Sequence, residues 1–132
     1  MTEIIVKPLK NAGDISFGMS RSKVREVLGE YREFKKSKFS SNTTDDFNIC
    51  HVYYNQNNEC EAIEFFENVI IKIENEIVFP NEFDKICDIL KRLDRNLEIE
   101  EESCTSIKYS IGVYAPRGKV EAILFGCEGY YN

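Results

Sequence analysis

Tryptophan is absent from this chain of 132 residues, histidine occurs once and proline three times. A single histidine leaves few ways to build a zinc site or a histidine-dependent hydrolase. Three prolines and seven glycines exclude collagen-like and Pro/Gly-rich low-complexity chains. No apolar run approaches the ~20 residues of a membrane-spanning helix. The opening MTEIIVKPLK lacks the apolar segment of a secretion signal, so a cytoplasmic protein is expected. Positive charge is short as well: 17 Lys and Arg face 23 Asp and Glu, for a net charge of −6. Bulk nucleic-acid binding would work against that balance. No Walker loop and no GxGxxG is present, so no phosphate cradle is expected. With no metal or cofactor motif, neither group is expected.

What is present suits one domain spanning 1–132: 42% hydrophobic residues, 30% charged residues, nine Phe and seven Tyr. The five cysteines, Cys50, Cys60, Cys87, Cys104 and Cys127, are odd in number and contain no CxxC. They read as small buried hydrophobes in a reducing compartment rather than as a disulfide framework.

Ser20 is a good N-cap, and Val24, Val27 and Leu28 form one apolar stripe that ends at Gly29. The pattern predicts a helix over 21–28. Phe83, Ile86, Cys87, Leu90 and Leu93 repeat that spacing after Pro80 and Asn81, with Asn81 as expected cap and Asp84 at N3. Strands are expected at 3–7, 31–34, 49–54, 60–66, 69–73, 76–79, 97–101, 106–114 and 120–125. The segment 35–48 reads as a long polar loop with aromatic anchors Phe39 and Phe47.

The segment HVYYNQNNECEAIEFFE (51–67) resembles GVYAPRGKVEAILFGCE (112–128) in its VY, EAI and Phe positions. A helix precedes each copy, so the halves 15–79 and 80–132 read as a pseudo-repeat. Hairpin pairing is expected to set Cys50 against Ile63, Val52 against Glu61, Ile111 against Ile123 and Val113 against Glu121. One face then carries Cys50, Val52, Ile63, Phe65, Ile111, Val113, Ile123 and Phe125, and lies beneath the helices. The other carries His51, Tyr53, Ala62, Glu64, Tyr114 and Leu124. Gly112 and Gly126 read as bulges or tight packing points. The expected fold is α+β: two tandem helix-plus-antiparallel-sheet units forming one curved sheet, with both helices on one face.

No reactive constellation emerges. Cys50 and His51 are strand neighbours and point to opposite faces, so they cannot form a dyad. The carboxylates show no paired arrangement for acid–base work, and no enzyme is expected. Interface chemistry fits better. Tyr53 and Tyr114 are the expected aromatic anchors; Asp45, Asp46, Glu64, Glu100, Glu101 and Glu102 are the expected acidic surface.

The stretch ISFGMSRSKVREVLG (15–29) resembles the opening helix of small bacterial domains of the BamE and β-lactamase-inhibitor type. There a helix starts after a Gly-Met/Leu-Ser/Thr turn and packs on an antiparallel sheet, sometimes as two tandem units. The region 34–66, with FKKSKFSSNTTDDF, VYY and CEAIEFF, is similar to small cytosolic bacterial immunity proteins, partners of polymorphic or contact-dependent toxins. That resemblance implies a non-catalytic inhibitor that occludes the active cleft of a toxin such as a nuclease, and it transfers no contact residues. The alternative is a small-molecule-binding or adaptor domain. A protein partner is expected, with no nucleic acid and no membrane.

Overall fold

The computed structural model describes residues 1–132 and contains two helices and two sheets. In chain order the elements are β1 (Thr2–Lys7), β2 (Asn11–Ala12), β3 (Ile15–Ser16), α1 (Arg21–Leu28), β4 (Arg32–Phe34), β5 (Thr44–Asp46), β6 (Cys50–Tyr54) and β7 (Cys60–Phe65). Then come β8 (Val69–Ile73), β9 (Glu76–Phe79), α2 (Phe83–Leu93), β10 (Glu98–Ile99), β11 (Ser103–Ser106), β12 (Ile111–Tyr114) and β13 (Ala122–Gly126). The fold is α+β.

Helix α1 begins where a polar side chain can take an orphan N–H group. The Ser20 side chain accepts from the Lys23 amide at 3.2 Å, and Gly29 ends α1 with φ +88°, a left-handed value that suits glycine. At α2 the capping expectation is corrected. Glu82 holds the N-cap position without a side-chain capping bond, and Asn81 Oδ1 instead accepts from the Glu82 amide at 3.0 Å.

The eight-stranded sheet runs β10-β11-β12-β13-β7-β6-β5-β4, every pair antiparallel. Outward from its central β13–β7 pair, each flank retraces a four-strand meander that follows a helix. The expected single curved sheet is corrected: β3-β2-β1-β8-β9 form a second sheet. Its β1 lies parallel to β8, a long-range pairing that local patterns do not announce.

The face assignment holds: Cys50, Val52, Ile63, Phe65, Ile111, Val113, Ile123 and Phe125 are all buried. They share one core with Val24 of α1, Phe83, Ile86 and Leu90 of α2, and Ile4, Val69 and Ile71 of the smaller sheet. The register is corrected by two residues in both hairpins. Cys50 pairs with Phe65 and Val52 with Ile63; Ile111 pairs with Phe125 and Val113 with Ile123. An even shift keeps every side chain on its face, which is why the core survived the error. In the second hairpin the chain between β12 and β13 is longer than a three-residue turn. It includes a 3-10 turn at Pro116–Gly118 in which Arg117 and Gly118 both have positive φ.

Two element boundaries also change. The expected strand 106–114 is broken by Ser110 at φ +53°, giving β11 and β12. The expected loop 35–48 contains β5, whose Thr44 and Asp45 are buried. Phe47 is a buried anchor, whereas Phe39 is 85% exposed.

Candidate functional site: the outer face of the large sheet

Across the large sheet from the helices lies a second, smaller apolar cluster of Tyr53, Ala62 and Leu124, with Tyr130 and Tyr131 packed on it. Strand parity places His51, Tyr53, Glu64, Leu124, Gly112 and Tyr114 on this outer face. Glu64 is at its centre, opposite His51 on β6 and Leu124 on β13. The Tyr53 hydroxyl donates to Glu64 Oε1. Burial, reinforced by that bond to a carboxylate, raises the Tyr53 phenol well above its ordinary range.

The C-terminal residues turn back over the sheet. Tyr130 and Tyr131 meet edge to face, with ring centres 5.2 Å apart. Their seats are the two strand glycines. A Cβ on Gly112 would stand 2.1 Å from the Tyr131 hydroxyl, and one on Gly126 would stand 2.8 Å from Tyr130 Cβ. The tight-packing reading of these glycines therefore holds, and neither has a positive φ. Burial pushes the Tyr130 phenol up to about 12 and raises that of Tyr131 further.

An open cleft of about 320 Å³ remains on this face, bounded by Glu64, Tyr114, Leu124, Tyr130, Tyr131 and Lys36. Lys36 reaches over from the β4–β5 loop, its Nζ 4.6 Å from the centre of the Tyr53 ring. Sequence reasoning missed Lys36, Tyr130 and Tyr131. One signal was available: Ala62, Gly112, Ala122 and Gly126 make this face unusually low-walled, which leaves room for something packed on it.

Apart from Glu64 at the centre, the expected contact residues divide into three groups. Tyr114 is 51% exposed. It pairs with Ser103, next to the exposed turn Glu100–Glu102 that joins β10 to β11. The Ala115 amide donates to the Glu102 carbonyl at 2.7 Å, and the Arg117 amide to Glu102 Oε2 at 2.7 Å. Asp46 lies at the other end of the face. It accepts from the Asn48 amide at 2.8 Å and from Arg32 at 3.1 Å, and its oxygen is 3.6 Å from His51 Nε2. The Asn48 bond is the largest cause holding its carboxyl below the usual carboxylate range.

Asp45 and Tyr53 require correction as surface residues. Asp45 is 0% exposed on the inner face and binds Arg25 through both carboxylate oxygens at 2.8 Å. The Tyr54 hydroxyl also donates to it at 2.9 Å. Tyr53 is only 8% exposed, beneath Lys36 and the C-terminal tyrosines. It supports the face and offers no free ring.

His51 is wedged between Phe34 and Phe66, with ring centres 5.1 and 4.6 Å away. All five cysteines are free, and all but Cys127 are buried. Burial pushes the Cys50 and Cys60 thiols up to about 12, the opposite of what a thiolate nucleophile needs. No cluster of three or more His, Cys, Asp or Glu side chains is placed to hold a metal ion, and no helix is long and apolar enough to cross a membrane. No family model matches the chain, and no curated protein or solved structure does so either.

Proposed function

We propose that this chain is a non-catalytic, immunity-type inhibitor that binds a cognate toxin in the cytoplasm and covers its active cleft with the outer face of the large sheet. The observation that supports the reading most is the placement of half-exposed Tyr114 against the acidic turn Glu100–Glu102. Such an aromatic-plus-acidic corner suits the basic cleft of an enzyme that handles a polyanion, such as a nuclease. Asp46 and Glu64 extend the acidic surface along the same face. Tyr114 and Tyr53 stand on strands three steps apart, roughly 14 Å across the sheet. A partner burying about 800 Å² on this side would cover that span.

We also propose that the halves are copies of one helix-plus-four-strand unit. Arg25–Asp45 under α1 has its counterpart in Cys87–Cys104 under α2. Asp45 pairs with Val52 as Cys104 pairs with Val113, and Arg25 and Cys87 each stand fifth in their helix.

Association kinetics with the toxin domain test the inhibitor reading. Reversing Glu100 and Glu101 to Lys should slow association at least tenfold at low salt and flatten its salt dependence, with dissociation little changed. Tyr114→Ala should act mainly on dissociation, costing about 1–3 kcal/mol. Association rates that ignore the charge reversal would remove the electrostatic basis of the reading.

A further inference from the structure

We infer that the cleft between Glu64 and the C-terminal tyrosines is a receptor for one cationic side chain, an arginine or lysine presented by a basic partner. The inference rests on the inhibitor reading for the partner's identity, but its chemistry stands on the cleft alone.

Three observations converge on a cation. The first is a carboxylate with spare capacity. Glu64 receives the Tyr53 hydroxyl on one oxygen, and it belongs to none of the eight ion pairs of the chain. The second is the wall material. Tyr114, Tyr130 and Tyr131 border the same space, and tyrosine faces attract ammonium and guanidinium groups. The third is that the site already draws a cation from its own chain. Lys36 crosses from an exposed loop to put its ammonium over Tyr53, at the edge of this cleft. Lys36 is thus an internal stand-in that an incoming side chain displaces.

The size fits one residue. A cleft of about 320 Å³ takes a long basic side chain with water around it, and its floor of Leu124 and Ala122 suits the methylene stem. Arginine is favoured over lysine, because its planar group can stack on a ring while hydrogen-bonding the carboxylate.

The test titrates a blocked tetra-arginine peptide into the full-length, isotope-labelled protein at low salt. Saturable amide shifts are expected at Gly112, Leu124 and Tyr131. Glu64→Gln keeps an acceptor for Tyr53 and should weaken binding at least fivefold. Lys36→Ala should tighten binding about threefold, whereas Lys35→Ala, the same change in net charge one residue away, should leave it nearly unchanged. Shifts confined to Glu98–Glu102, an unaltered affinity in Glu64→Gln, or equal tightening by both lysine variants would overturn the proposal. Because the peptide needs no toxin, the two readings fail separately. Peptide capture without neutralisation of a toxin discards the inhibitor reading and keeps the cleft. Full neutralisation by Glu64→Gln discards the cleft and keeps the inhibitor.

Discussion

Asp45 shows how far a residue's role can lie from its local sequence. In SSNTTDDFN it looks like one more solvated acid. In the fold it is fully buried, gripped by Arg25 from α1 and by Tyr54 from the neighbouring strand. Arg25 in turn stacks on Tyr31 at 3.9 Å and also binds Glu33 at 2.9 Å. Asp45 Oδ2 and the Arg25 guanidinium raise each other's cost of loss: removing the carboxylate strands a partly buried cation. Asp45→Ala should therefore destabilise the protein by about 3–5 kcal/mol in urea unfolding. A loss under 1 kcal/mol would mean that the pair is not a structural element. The cysteines give a second residue-scale prediction. With Cys50 and Cys60 thiols pushed up to about 12, thiolate is scarce at neutral pH. Alkylation at pH 8 should mark half-exposed Cys127 first and the buried four only at the rate of unfolding. One buried cysteine reacting faster than Cys127 would point instead to an activated thiol.

Helices were the most legible elements, because cap, stripe and stop agree in one short window. The bounds of α1, Arg21–Leu28, follow from Ser20 and Gly29 alone. Strand faces were legible for a related reason, since a period of two survives a register error of two. Strand ends were not. Ser110 and Arg117 adopt positive φ without being glycine, so neither break is written in residue type. Polar β5 was hidden too, because Thr44 and Asp45 are buried by partners distant in sequence. The outer-face cleft was half legible: Tyr114 and Glu64 were singled out, while the tail that walls it was not. The strand glycines now make a graded prediction. In Gly112→Ala the new methyl meets only the tip of Tyr131, which can swing away, so the tail should lift at a cost of about 1 kcal/mol. In Gly126→Ala it meets the base of Tyr130, which cannot, and the cost should reach about 2–3 kcal/mol. Lifting the tail should also move Tyr130 back from about 12 toward the ordinary tyrosine value near 10 in an alkaline titration. A raised phenol pKa stabilises the fold below pH ~10, and that contribution is lost as pH climbs through 12. An unchanged tyrosine titration in Gly112→Ala would show that the tail does not depend on that seat.

At the scale of the whole molecule, one sheet separates two environments. Its inner face carries the core with both helices and the second sheet; its outer face carries tyrosines, acids and a low floor. Net charge of −6 gives the molecule a long-range pull on basic partners, and the proposed occlusion would need no reactive group. The most direct test of the proposed inhibition is survival of cells co-expressing this chain with a toxin domain taken from a neighbouring open reading frame. The account predicts growth with the intact chain and death when Tyr114→Ala is combined with reversal of Glu100 and Glu101, at equal levels of folded protein. Equal killing with and without the intact chain would contradict it.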